Sequence, residues 1–199
     1  MSNEPSISAI VLAGGQARRM AGRDKGLIPF DGLPLIAAVL HRLAPQVDEI
    51  IISANRHMDE YAKLGYPVVT DASADYRGPL AGIHAAGQRT RGEWLLITPC
   101  DTPFLPPDLA QRLLTQARAS GVRLACAADD TQTHPATMLM HRSLLSSLAE
   151  CLAQGQLKVQ TWQTAHGCAV ARFPGATQAF MNINTPDDLT AAQQLLSRG

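Results

Sequence analysis

Two adjacent glycines near the amino terminus stand between a short apolar run and a group of cations. Gly14 and Gly15 follow the uncharged run that ends in Leu12 and Ala13. Glycine adopts positive φ without strain and has no Cβ, so phosphate oxygens can come close to main-chain N–H groups. Cationic side chains then follow within about a dozen residues: Arg18, Arg19, Arg23 and Lys25. This combination predicts a loop that binds the phosphates of a nucleotide.

The glycine pair matches neither of two common phosphate-binding motifs. A P-loop needs Lys followed by Ser or Thr, whereas Lys25 is followed by Gly26 and Leu27. The dinucleotide fingerprint G-x-G-x-x-G starts at neither Gly14 nor Gly15. A turn after a core strand is the simpler explanation of two glycines on their own. The cations that follow favour phosphate binding over a simple turn.

Two aspartates lie at or just past the ends of predicted strands. Asp101 follows a buried apolar run, where a carboxylate could hold a hard cation that bridges phosphate oxygens. The alternative is a turn or capping aspartate before Pro103. Asp71 ends another predicted strand and could contact a ribose, a base or a metal ion, with a turn role equally open.

The elements that must position these residues alternate between strand and helix. The apolar patterns predict strands at 7–12, 48–53, 67–71, 93–98 and 122–127, with helices between them. This alternation is typical of an α/β fold with a doubly wound, mostly parallel sheet of Rossmann-like type. Ligands of such sheets bind outside the carboxyl ends of the strands. We therefore expect the following to meet at one edge: Gly14, residues 53–55, Asp71 and Asp101.

The remaining third of the chain is less regular. A His-Pro pair, His134 and Pro135, precedes an apolar stretch, and helical patterns cover about 143–153 and 186–197, with Thr185 as N-cap of the second. A strand is predicted near 167–173. No internal repeat, linker or low-complexity segment divides the chain, so residues 1–199 are predicted to form a single domain.

Composition narrows the class of protein. Lys and Arg total 17 and Asp and Glu total 17, so the formal net charge is zero and gives no support to a nucleic-acid or membrane surface. The four cysteines are far apart and form no C-x-x-C motif. The amino terminus lacks a basic and apolar leader, and we expect a cytoplasmic protein. No Ser lies in a G-x-S-x-G elbow, so hydrolase chemistry has no support.

The segment LAGGQARRMAGRDKG resembles the signature L-A-G-G-x-x-x-R-M-x-G-x-D-K of the molybdenum cofactor guanylyltransferases, also called molybdopterin-guanine dinucleotide synthases or the MobA family. Ala21 stands where many members carry Gly. Further segments resemble blocks of that family: ANRH at 54–57, GPLAG at 78–82, LITPCDTPFLPPDL at 96–109 and NINTPDDL at 182–189. The resemblance spans about Ile10 to Leu189, and it implies a single-domain nucleotidyltransferase fold.

The resemblance implies roles for individual residues. The implied catalytic residues are Lys25, Arg19 and Asp101, and Asp101 would also hold Mg²⁺. The implied GTP-binding residues are Leu12, Ala13, Gly14, Gly15, Lys25, Ser53, Asn55, Asp71, Gly78, Gly82 and Asp101. Ser53 stands where relatives often carry Asn, although a hydroxyl can still donate and accept a hydrogen bond. The implied contacts to the pterin substrate are His134, Lys158, Asn182 and Asn184. Residues of about 7–127 would then mainly bind nucleotide, and those of about 128–199 would face the pterin.

The reaction implied by the resemblance is transfer of GMP from GTP to molybdopterin with release of pyrophosphate. The same fold also serves molybdopterin cytidylyltransferases and sugar-phosphate nucleotidyltransferases, and Gly14 favours guanine because cytidylyl relatives resemble L-A-A-G there. A non-catalytic GTP-binding regulatory module is the alternative from another class, and Lys25 together with Asp101 counts against it. We expect a monomer that makes transient contact with cofactor-assembly proteins and apo-molybdoenzymes.

Overall fold

A seven-stranded sheet runs through the computed structural model, which describes residues 4–13, 24–71 and 78–197. Gly14, Gly15 and Arg19, three of the predicted site residues, lie outside the described residues. The strands are β1 (Ile7–Leu12), β2 (Pro29–Phe30), β3 (Leu33–Pro34), β4 (Glu49–Ser53), β5 (Val68–Val69), β6 (Trp94–Pro99), β7 (Leu124–Ala128), β8 (Thr133–His141) and β9 (Ala169–Arg172). The helices are α1 (Leu35–Leu43), α2 (Met58–Ala62), α3 (Gly78–Gly87), α4 (Leu109–Ala119), α5 (Leu145–Ala153), α6 (Val159–Ala165) and α7 (Pro186–Leu196).

The strand order in the large sheet is β5-β4-β1-β6-β8-β7-β9, and β2 and β3 form a separate hairpin. Strand β8 is antiparallel to both β6 and β7, while the other neighbouring pairs are parallel. The prediction of a mostly parallel sheet is confirmed. The antiparallel strand follows from chain length, because the few residues between β7 and β8 suffice for a hairpin but not for a parallel crossover.

Helices cover both faces of the sheet, as predicted for a doubly wound fold. Ala9 and Val11 of β1 face the cluster that contains α1 and α4, whereas Ile10 faces the cluster that contains α3 and α5. This alternation is the two-residue period of a strand, and β1 is apolar except for the buried Ser8 because both of its faces are buried.

The predicted element boundaries agree with the structure to within a few residues. The strand predicted at 67–71 is shorter, since β5 ends at Val69 and Asp71 lies beyond it. Thr185 caps α7 as predicted, and it does so in a capping box in which Asp188 accepts from the Thr185 backbone N–H. Within the described ranges, no helix has the length and apolar character needed to cross a bilayer.

Candidate active site

A cavity of about 530 Å³ opens at the carboxyl ends of β1, β4, β5 and β6. Because these four strands run parallel, their carboxyl ends meet at the same edge of the sheet. Backbone bonds continue just past the strand ends, from Ala13 N–H to Ser53 O (2.8 Å) and from Cys100 N–H to Leu12 O (3.0 Å). The structure brings these predicted site residues to the cavity wall: Leu12, Ala13, Lys25, Ser53, Asn55, Asp71, Gly78, Gly82 and Asp101.

Lys25 and Asp101 lie side by side in this cavity. The Lys25 ammonium donates to Asp101 Oδ2 at 3.3 Å, and it also donates to Asn184 Oδ1. Both partners of the ion pair are mostly buried, with side-chain exposures of 23% for Lys25 and 13% for Asp101. The segment that carries Asn184 is tied to the same place, because Ile183 N–H donates to Asp101 O at 2.9 Å. The ammonium therefore has a defined position.

The second carboxylate oxygen of Asp101, Oδ1, is buried and has no hydrogen-bond partner among the described residues. A buried acceptor without a partner is unfavourable unless something else satisfies it. Burial raises the pKa of Asp101 above its ordinary value, although the neighbouring Lys25 charge acts in the opposite direction. A hard divalent cation fits such an oxygen.

The described parts of the chain contain no group of three or more His, Cys, Asp or Glu side chains that could hold a metal ion. Mg²⁺ does not need one, because it is commonly bound through one or two carboxylates together with waters and substrate phosphates. The oxygen donors around Asp101 therefore fit a hard divalent cation, such as Mg²⁺ or Mn²⁺.

Asp24 holds the backbone on both sides of Lys25. It is the N-cap of the 3₁₀ turn Lys25–Leu27, and its Oδ1 accepts from Gly26 N–H at 3.2 Å and from the Tyr61 hydroxyl at 2.5 Å. Burial, together with Cys100 and Asp24, raises the pKa of Tyr61 well above its ordinary value, so the phenol remains a donor.

The two polar positions after β4 differ in their surroundings. Asn55 Oδ1 accepts from the backbone N–H of Asp71 at 3.0 Å, so Asn55 joins the ends of β4 and β5. Ser53 is 5% exposed and packs against α3, where a Cβ built on Gly82 would lie 2.6 Å from Ser53 Oγ. Gly82 therefore permits the close approach of α3 to the end of β4.

Comparison with known proteins shows the family of the chain. Residues 9–168 match the family described as MobA-like NTP transferase domain. The chain belongs to this family. A molybdenum cofactor guanylyltransferase from Shewanella loihica is 43% identical over 92% of this chain and 93% of its own length. The MobA-like chain is thus a nucleotidyltransferase of the group to which guanylyltransferases for the molybdenum cofactor belong.

Two solved structures share the fold of the MobA-like chain. The molybdopterin-guanine dinucleotide biosynthesis protein A from Archaeoglobus fulgidus superposes with a TM-score of 0.75 at 25% identity, covering 96% of this chain and 100% of that one. The Rv0371C protein from Mycobacterium tuberculosis, solved as a complex with manganese, superposes with a TM-score of 0.70 at 17% identity, covering 95% and 98%.

The residues predicted to face a pterin are spread over different places in the MobA-like transferase. His134 Nε2 lies 3.1 Å from Asp129 Oδ2, and its ring stacks on Phe180 with centroids 4.6 Å apart. His134, Lys158 and Asn182 do not line the cavity, and Lys158 and Asn182 are exposed. Asn184 is the asparagine that contacts Lys25.

Asp24 and Tyr61 are two hydrogen-bonding residues around Lys25 that the sequence reasoning missed. Asp24 belongs to the recognised D-K pair and lines the cavity, and its position two residues before Gly26 is a capping spacing that could have revealed it. Tyr61 carried no comparable signal, since its link to Asp24 exists only in the fold. Ala13 and Asp24, which flank residues 14–23, both line the cavity of the MobA-like transferase.

Proposed function

We propose that this MobA-like transferase transfers GMP from GTP to a terminal phosphate of molybdopterin and releases pyrophosphate. The observation that carries the proposal is the Lys25–Asp101 pair, in which a fixed ammonium stands beside an unsatisfied carboxylate oxygen at the ends of the strands. The names of the relatives, molybdenum cofactor guanylyltransferases, support GTP as the nucleotide and molybdopterin as the acceptor.

The reaction needs positioning and charge stabilisation rather than an enzyme nucleophile. An oxygen of the acceptor phosphate attacks the α-phosphorus of GTP, the new P–O bond forms, and the bond to the β-phosphate oxygen breaks in line. Negative charge develops on the departing pyrophosphate. Lys25, assisted by Arg19, stabilises that charge. Burial raises the pKa of the Cys100 thiol well above its ordinary value, so this cavity residue stays neutral and is not the nucleophile.

Asp101 would hold Mg²⁺ through the oxygen that lacks a described partner. When bound, the ion neutralises charge on the phosphate oxygens and raises the electrophilicity of the phosphorus. Asn184 and Asp101 restrain the Lys25 ammonium, so the chain itself provides a positive charge that needs no rearrangement during the reaction.

The rest of the cavity would bind the nucleoside and the acceptor. Gly14 and Gly15 would cradle the triphosphate, and Asn55, Ser53 and Asp71 offer polar groups to the ribose or base. The small residues Gly78 and Gly82 of α3 would let GTP lie against backbone. Residues of about 128–199 would form the pterin side, with His134, Lys158, Asn182 and Asn184 as candidate contacts.

The protein would act as a cytoplasmic monomer in transient contact with cofactor-assembly proteins and apo-molybdoenzymes.

The test is pyrophosphate release by the purified protein with Mg²⁺, molybdopterin and each of the four nucleoside triphosphates in turn. Release with GTP alone supports the proposal. Release with CTP instead assigns the protein to cytidylyl transfer. Tight GTP binding without any release supports a regulatory module and contradicts catalysis. Asp108→Asn is a suitable control, since Asp108 is an exposed partner of Arg112 and does not line the cavity.

A further inference from the structure

Tyr61 reaches the site from a different part of the chain. It belongs to the short helix α2, 37 positions after Asp24, and it is fully buried. It does not line the cavity. Its hydroxyl nevertheless donates to Asp24 Oδ1 at 2.5 Å, the same oxygen that accepts from Gly26 N–H. A buried phenol thus shares one carboxylate oxygen with the turn that carries Lys25.

The turn is shaped around the Tyr61 ring. A Cβ built on Gly26 would lie 2.5 Å from Tyr61 Oη, 3.2 Å from Tyr61 Cε1 and 3.3 Å from Cys100 Sγ. No side chain fits in that space without displacing the ring or the turn, so glycine is required for this approach. The phenol therefore contacts the residue on either side of Lys25, Asp24 by hydrogen bond and Gly26 by packing.

We infer that Tyr61 is a positioning residue for nucleotidyl transfer, acting through Asp24 to hold Lys25 beside Asp101; this inference rests on the proposed function. A lysine side chain has four flexible carbons, so its ammonium is well placed only if its backbone and its head group are both restrained. Asp101 and Asn184 restrain the head group. Tyr61 and Asp24 restrain the backbone.

The test is Tyr61→Phe, which removes the hydroxyl and keeps the ring against Gly26. We expect kcat for pyrophosphate release to fall about tenfold, a typical effect of removing a group that orients a functional side chain. The loss should disappear in a Lys25→Met background, because Tyr61 would then have nothing to position. Tyr66→Phe is the matched control: Tyr66 is a partly buried tyrosine packed on the same hydrophobic cluster, and it does not line the cavity.

A purely structural role predicts a different pattern. In one case Tyr61→Phe would have a lower thermal midpoint, but its kcat per folded molecule would stay within about twofold of wild type. In the other, Tyr61→Phe would reduce kcat by the same factor in the Lys25→Met background as in wild type. Either result overturns the inference. If Tyr61→Phe does not fold, Asp24→Asn is measured in the same two backgrounds with the same expected loss.

GTP binding, measured by calorimetry on the same variants, separates failure of the inference from failure of the proposed function. Wild-type protein that binds GTP but releases no pyrophosphate overturns the function. In that case Tyr61 still positions Lys25 for the bound nucleotide if Tyr61→Phe weakens GTP binding severalfold only when Lys25 is present, and unchanged binding overturns that role as well.

Discussion

Lys25 Nζ lies 3.3 Å from Asp101 Oδ2, although the two residues are 76 positions apart in the chain. The contact exists because β1 and β6 are parallel neighbours, so the chain that leaves β1 and the residues that end β6 emerge at the same edge. An ion pair at this depth is a weak source of stability, since removing two charges from water offsets much of their attraction. The position of the Lys25–Asp101 pair is therefore better explained by a role in the reaction than by a contribution to the stability of the fold.

Asp101→Asn should abolish turnover and leave the fold intact. The change removes the charge that would hold Mg²⁺. Stability lost with the Lys25–Asp101 ion pair is offset, because the variant no longer buries a charged carboxylate whose Oδ1 lacks a described partner. We expect the thermal midpoint in metal-free buffer to shift by less than about 4 °C, which corresponds to at most about 1–2 kcal/mol. Circular dichroism and pyrophosphate release measure the two effects. Full activity in this variant would show that Asp101 is not needed for catalysis or for metal binding.

Asn184→Ala and Asn182→Ala should separate the two asparagines of the NINT segment. Asn184 Oδ1 accepts a hydrogen bond from the Lys25 ammonium, whereas Asn182 is exposed. We expect Asn184→Ala to lower kcat about tenfold more than Asn182→Ala, because only the first releases the ammonium. Any effect of Asn182→Ala should appear in the KM for molybdopterin. Steady-state kinetics with both substrates varied decide this, and the reverse order of effects on kcat would contradict it.

Gly82→Ala should be destabilising, and Ser53→Ala should rescue it. The added methyl would lie 2.6 Å from Ser53 Oγ, but 3.5 Å or more from the next nearest atoms, which is ordinary contact. We expect Gly82→Ala to lower the free energy of unfolding by about 1–3 kcal/mol, the usual range for overpacking. The double variant should recover most of that loss. The free energy of unfolding is measured by urea unfolding for wild type, both single variants and the double variant, which together form a double-mutant cycle. If the losses of the two single variants add up in the double variant, another contact is responsible.

Asp129 should contribute to stability at neutral pH and lose that contribution in acid. Its side chain is buried, which acts to raise its pKa, but hydrogen bonds from the Thr131 hydroxyl, the backbone N–H groups of Thr131 and Gln132, and His134 outweigh burial and hold the pKa well below its ordinary value. A depressed pKa gives stability that is present above the unfolded pKa of about 3.9 and is lost as the pH falls below it.

Asp129→Asn should therefore lower the free energy of unfolding by about 1–3 kcal/mol at pH 7, and the difference from wild type should shrink below about pH 4. Urea unfolding between pH 3 and about pH 7 measures it. Glu150→Gln, which removes an exposed carboxyl from α5, is the control for the general effect of losing one acidic group. A difference between wild type and Asp129→Asn that is independent of pH would contradict the prediction.

The strands, most helices and the edge where the site lies could be predicted from sequence. Apolar runs buried on both faces mark β1, β4 and β6, and two residues after the end of each strand come Gly14, Asn55 and Asp101, respectively. The antiparallel course of β8 was not predicted, although the short link after β7 contained that information. The contacts of the His134 ring with Asp129 and Phe180 are not encoded in the His-Pro motif, and the role of His134 toward the pterin stays a prediction.

The sequence by itself determined the class of fold, the family and the residue types that meet at the cavity, because periodicity and motif spacing are local properties of the chain. Only the tertiary structure decided that Asn184 contacts Lys25, that Tyr61 holds Asp24, and that one oxygen of Asp101 lacks a described partner. The Tyr61–Asp24 contact joins residues 37 positions apart in the chain, and the Lys25–Asn184 contact joins residues 159 positions apart. No local pattern encodes them, since they depend on how α2, β6 and the segment before α7 pack around the end of β1.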